Sequence, residues 1–238
     1  MKHTISALIL TSLALLSSCD DGHVDDPVFQ HSGDGYEVLL RGSFSGLSTW
    51  SGGYSVVAAA FDGDSPYSLM QKVLSADGSE VRLSAIPASA QTVEIAVVNS
   101  LRKRIATLYR YDLSGDIGDD IVEIDCGNLD ASMWSTINRC VLQGSATNCS
   151  MCHGSATGAA GLDLSAGNAY ASLINVPATK GDGQMRVLPF DSEHSFFYKV
   201  LTDGDGRVSY SHTGLFAEEK LAAFLDVIRA WIDSGAGE

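Results

Sequence analysis

Hydrophobic and polar positions divide the chain into two stretches of different period. From residue 36 to 125 the apolar positions recur in short, often alternating runs. The runs at 36–43, 54–61, 67–74, 80–84, 92–99, 104–111 and 121–125 are predicted as strands. In the fifth run Val93, Ile95 and Val97 point one way and Glu94 the other, as expected for a strand with one face in a core. Asp62-Gly63-Asp64 and Asp77-Gly78 punctuate the runs, and Asp77-Gly78 suits a tight hairpin because both residues tolerate positive φ. Short strands at this spacing predict an all-β sandwich of immunoglobulin-like type over 36–125.

Beyond residue 125 the period lengthens to that of helices. Asp130 is placed to cap a helix carrying Trp134, Ile137 and Val141. Ser165 and Ser192 are placed to open short helices through Leu173 and Leu201. The clearest helix is 218–232, where Leu221, Phe224, Leu225, Ile228, Trp231 and Ile232 form one stripe and Gly235 supplies a stop. The expectation is a second, all-α domain over 126–238.

The amino terminus bears on compartment. A short basic start, Met1-Lys2-His3, precedes an apolar run over 5–16. That run is too short to span a bilayer and reads as the core of a secretory signal. It ends in Leu16-Ser17-Ser18-Cys19, which resembles the lipobox of bacterial lipoproteins. The resemblance implies a signal peptide over 1–18 and lipid on Cys19, with residues 19–35 as a polar tether. Each buried lipid methylene contributes about 0.8 kcal/mol to anchoring. The expected location is therefore extracytoplasmic, on a membrane facing the periplasm or the cell surface, where disulfides are permitted.

The densest chemistry is Cys149-Ser150-Met151-Cys152-His153. Two thiols at this spacing followed by an imidazole form the attachment motif of c-type haem: the thiols bond the porphyrin side groups and His153 supplies a nitrogen to iron. Covalent haem attachment occurs outside the bacterial cytoplasm, so signal and motif agree. The same residues are open to two other readings, a redox-active thiol pair and a zinc site completed by His153, Cys126 and Cys140. With Cys19 assigned to lipid and Cys149 and Cys152 to haem, Cys126 and Cys140 remain of the 5 cysteines and are expected as a disulfide. Acidic residues outnumber basic ones 29 to 15, and Arg102-Lys103-Arg104 is the one basic cluster, which argues against nucleic acid as a partner.

Three strings beyond residue 134 carry a resemblance. These are Cys149-x-x-Cys152-His153-Gly154 with Gly161-Leu162-Asp163-Leu164-Ser165, then Arg186-Val187-Leu188-Pro189 leading to Tyr198-Lys199-Val200-Leu201, then Ile228-Arg229-Ala230-Trp231-Ile232 ending in Gly235-Ala236. Together they resemble bacterial mono-haem cytochrome c domains. The resemblance implies helices around one covalent haem c, and one-electron transfer to a redox partner protein. The family usually places a Met-Pro before its last helix as the sixth iron ligand. This chain has Arg207 to Leu215 there, without methionine, and His212 takes the place of the ligand, with Met185 as the alternative. A second imidazole lowers the reduction potential where methionine raises it. Arg186 is a candidate partner for a haem propionate. His194 is expected to be exposed and Trp231 to fill core.

Two classes of function follow. One is a membrane-anchored carrier of single electrons, with no nucleophile or acid–base set. The other is a cell-surface lipoprotein whose β-sandwich recognises a glycan or protein, the haem part being a sensor or accessory. Peroxidase-like activity requires an open sixth position on iron.

Overall fold

Every predicted strand run forms a strand. They are β1 (Tyr36–Ser45), β2 (Ser55–Phe61), β3 (Met70–Val73), β4 (Glu80–Ile86), β5 (Thr92–Val98), β6 (Arg104–Asp112) and β7 (Val122–Asp130). The computed structural model describes residues 35–50, 53–75, 80–113, 121–155, 157–203 and 207–238. These belong to one compact unit. The signal segment, Cys19, the tether up to residue 34 and the Asp77-Gly78 turn lie outside the described residues.

The strands make two sheets, of order β4-β1-β7 and β3-β2-β5-β6. Here the immunoglobulin-like expectation is corrected. The four-stranded sheet is antiparallel, but β1 pairs antiparallel with β4 and parallel with β7, so the smaller sheet is mixed. The parallel register runs to Phe44↔Leu129 and Ser45↔Asp130, which is why β7 extends five residues past the predicted end at 125. Asp130 thus ends a strand instead of capping a helix. Its carboxylate accepts from the Ser132 amide, and Ser132 is the cap, its hydroxyl accepting from the Ser135 amide at 3.1 Å.

Strand β5 also departs from expectation, because both of its faces are buried. Val93, Ile95 and Val97 join Val38 and Leu40 of β1 and Val56 and Ala58 of β2 in the core between the sheets. On the outer face Ala96 and Val98 cluster with Val57, Ala59 and Phe61. The β2–β3 connection crosses toward β6, where the Pro66 carbonyl accepts from the Arg104 amide. Glu94, fully buried, accepts from Arg104 at 2.8 Å and from the Thr107 hydroxyl at 2.7 Å.

The second half is not the all-α domain that the periodicity predicts. Among the described residues it holds five α-helices: α1 (Met133–Ile137), α2 (Cys149–Cys152), α3 (Ala169–Leu173), α4 (Phe196–Thr202) and α5 (Glu219–Asp233). The first four have at most seven residues each. A π-helical turn (Asn138–Leu142), short 3-10 turns and the bridges Ile174↔Val187 and Pro177↔Met185 fill the intervals. The reason is local. Asn148, Ala160, Asn175, Asp182 and Phe190 all have positive φ, which right-handed helix cannot continue through.

What holds this part is shared burial. Trp231, 1% exposed, stacks on Trp134 at 5.0 Å, and Trp134 meets Tyr170 edge-on at 5.3 Å. Gly237 and Ala236 carbonyls accept from the Trp231 and Tyr170 side chains and tie the carboxy-terminal end to this stack. The core continues from the sheets into the helices without a break. At the junction Trp50 donates to the Ala131 carbonyl, Thr49 accepts from the Met133 amide, and Lys103 pairs with Glu219.

Candidate functional site

The CxxCH segment folds as the single turn α2, entered through Asn148 in the left-handed region (φ 50°). One helical turn puts residues three apart on the same side. Cys149 and Cys152 both line a cavity of about 620 Å³, half-buried and exposed respectively. Its walls are apolar: Leu162 and Leu164 from the loop after the motif, Leu173 from α3, and Phe196, Phe197 and Val200 from α4. Among the described residues no Asp or Glu lines it, and the charged lining residues are Lys180 and Arg186. In a chain of formal charge −14, that local absence of carboxylates favours an anionic or apolar occupant.

His153 and His212 face each other within this lining, with ring centres 6.2 Å apart and planes 29° apart. His153 Nδ1 lies 2.9 Å from the Ala159 carbonyl oxygen. A carbonyl only accepts, so Nδ1 is the donor in this contact and Nε2 is the nitrogen left free of it, the hydrogen-bonding arrangement found in metal-binding imidazoles. His212 begins a 3-10 turn (Thr213–Phe216), and its Nδ1 is buried without a hydrogen-bond partner. Burial, and secondarily the nearby His153, pushes its basicity below the usual imidazole range, so the ring is neutral at neutral pH. Tyr210 meets His212 edge-on at 5.2 Å.

A metal–imidazole bond is about 2.0 Å. A ring nitrogen sits about 1.1 Å from its ring centre, given bonds near 1.33 Å. One atom bonded to both rings therefore needs to lie in both ring planes with the centres about 6 Å apart, and the observed 6.2 Å meets the distance. The site residues fit an iron porphyrin on three counts: two thiols one helical turn apart, two imidazoles with ring centres 6.2 Å apart, and apolar walls.

The other readings of the motif fit less well. Burial pushes the Cys149 thiol up, outweighing the hydrogen bond from Thr147, whereas nucleophilic CxxC thiols are shifted down. Among the described residues no three His, Cys, Asp or Glu side chains group as a metal cage, which removes the closed zinc site.

The remaining expected residues sit as follows. Arg186 lines the cavity, but its guanidinium is turned to backbone: Nη1 donates to the Ser172 carbonyl at 2.7 Å and Nη2 to the Gly161 carbonyl at 3.0 Å. Met185 does not line the cavity; its backbone bridges Pro177. His194 is exposed and bonded to the Asp191 carboxylate at 2.8 Å. Cys126 and Cys140, expected as a disulfide, are free thiols. Their surroundings differ: Cys126 on β7 lies beside Gly42, Asp125 and Tyr109, and Cys140 in the π-helical turn lies beside Arg139 and Lys220.

Sequence reading missed the Ala159 carbonyl, Thr179 and Tyr210. The first is backbone and has no residue signature. The nearest signal is Gly158, where an added Cβ would come within 3.0 Å of the Cys152 carbonyl oxygen, marking a turn folded tightly over the motif.

Comparison with protein-family models, with curated proteins and with solved structures returns no match. The resemblance to bacterial mono-haem cytochrome c domains is therefore corrected. No family model supports it, the described residues form no cage of three metal-binding side chains, and the second half is not a helical domain. No helix among the described residues is long and apolar enough to cross a membrane.

Proposed function

We propose that this chain carries one haem, bonded through Cys149 and Cys152 and held at iron by His153 and His212, and that it passes single electrons between partner proteins outside the cytoplasm. The reading rests on local chemistry and not on kinship. Its main support is the pair of imidazoles with ring centres 6.2 Å apart, lining the same apolar cavity as both thiols.

The group would supply iron that cycles between ferrous and ferric states. The chain's residues do the rest. Cys149 and Cys152 fix the group without relying on pocket affinity. His153, oriented by the Ala159 carbonyl, presents Nε2. His212 would supply a second nitrogen to the iron, which would leave small ligands such as peroxide no free position. Phe196, Phe197, Val200 and Leu201 exclude water, which limits the reorganisation that accompanies a change of charge. Lys180 remains as a cation for the porphyrin carboxylates, Arg186 being committed to carbonyls. The amino-terminal pattern supports export and lipid attachment at Cys19.

The test is maturation with a haem-attachment system. A sharp α-band retained after acid-acetone extraction is expected. His212→Ala should turn a low-spin spectrum high-spin, and His212→Met should raise the midpoint potential. A colourless product with unmodified mass at Cys149 and Cys152 overturns the reading; an unchanged low-spin spectrum in His212→Ala removes that ligand alone. Loss of membrane fractionation in Cys19→Ser tests the anchor.

A further inference from the structure

We propose that Thr179 and Arg186 are positioning residues that set the orientation of the His153 ring by clamping the turn whose carbonyl holds it. The geometry does not depend on haem; the functional consequence rests on the function proposed above.

The chain of contacts is short. His153 Nδ1 donates to the carbonyl of Ala159, the first residue of the 3-10 turn Ala159–Gly161. That turn is exposed and strained, since Ala160 has φ 58°. Alone it would not hold a carbonyl at a fixed point. The next two carbonyls are held instead. The Thr179 hydroxyl donates to the Ala160 carbonyl at 2.8 Å. Arg186 Nη2 donates to the Gly161 carbonyl at 3.0 Å and reaches the Ala160 carbonyl at 3.4 Å. The other arm of the fork, Nη1, holds the Ser172 carbonyl near the end of α3.

Arg186 is itself anchored by backbone. Its amide donates to the Val176 carbonyl at 2.7 Å, and its carbonyl accepts from the Phe197 amide in α4 at 2.8 Å. The exposed turn is thereby referred to the same helices that wall the cavity. A planar fork can serve three carbonyls at once, whereas an ammonium is a point donor on a flexible stem. This distinguishes a clamp from a propionate partner, for which lysine would serve.

The consequence is a tuned ligand. A firm Nδ1–H bond raises the basicity of Nε2 and stabilises the ferric state. Loosening the turn weakens that bond and raises the midpoint potential.

The experiment uses the full mature chain in two forms with Thr179→Val, Thr179→Ser and Arg186→Lys. In haem-free protein, long-range ¹⁵N correlation spectra read the His153 tautomer. Thr179→Val and Arg186→Lys should lower the ratio of Nδ1–H to Nε2–H tautomer by roughly three- to tenfold, the factor one lost neutral hydrogen bond gives. Thr179→Ser, which keeps the hydroxyl, should match the parent. In matured protein the same two variants should raise the midpoint potential and speed deuterium exchange at His153 Nδ1–H, with haem content unchanged. If Thr179→Val matches the parent in tautomer ratio and exchange, the clamp is overturned while the haem reading stands. If the parent matures colourless, the haem reading falls and the tautomer spectra still decide the clamp. A haem-free chain that is unfolded passes the decision to the matured form, and a chain both colourless and unfolded overturns both.

Discussion

Burial of the Cys126 thiol on β7, aided by Asp125, pushes its ionisation from 9.0 up to about 11. The folded state thus favours the neutral thiol. Its contribution to stability is complete below pH 9.0 and is lost as pH rises toward about 11, because the unfolded thiol ionises first. Denaturant unfolding across that window should show a steeper loss for the parent than for Cys126→Ala. The state of this thiol is checkable directly: unfolding without reductant should let an alkylating reagent modify both Cys126 and Cys140. Modification of neither would restore the disulfide that cysteine bookkeeping suggests. Cysteine bookkeeping counts thiols without knowing their neighbours, whereas the structure holds both as free thiols. Cys149, Cys152 and His153 are legible for the opposite reason, since five consecutive residues carry the whole chemical pattern.

Strands and helices differ in how far their patterns carry. The seven strands are legible because alternation and Gly/Asp punctuation are local. The two-sided burial of β5 is not, because its outer face clusters with β2 residues that are remote in sequence. Glu94 shows the energetic side of that placement. With Arg104 and Thr107 it forms a satisfied buried set. Without Arg104 the buried Glu94 keeps only the longer ion pair with the half-exposed Arg110 at 3.8 Å, so Arg104→Leu should cost about 3–5 kcal/mol in chemical denaturation. The double variant Glu94→Met with Arg104→Met should recover most of that loss. The predicted helices of the second half form, but all except the last span at most seven residues and the intervals between them are not helical, so no all-α domain results. Positive φ at Asn148, Ala160 and Asn175 keeps those intervals from continuing as helix.

At the scale of the molecule, burial is continuous from Val38 of β1 to Ala236 beyond α5. The Trp134–Trp231 stack and the Trp50–Ala131 hydrogen bond lie within or beside that continuity. Unfolding of haem-free protein, followed by strand signal in far-ultraviolet dichroism and by tryptophan fluorescence, should give one coincident transition. Ile228→Ala, a fully buried truncation on α5, should shift both probes together by about 2–5 kcal/mol. Two separated transitions would show that the strand and helix parts fold independently.

The amino-acid sequence by itself determined the seven strand positions, the long last helix and the thiol–thiol–imidazole set. Each is written in neighbouring residues, where spacing along the chain equals spacing in space. Tertiary structure alone decided that β7 lies parallel to β1, that His212 comes within 6.2 Å of His153, and that Arg186 turns to carbonyls. These depend on segments tens of residues apart, and which segments meet is settled by the packing of the whole chain.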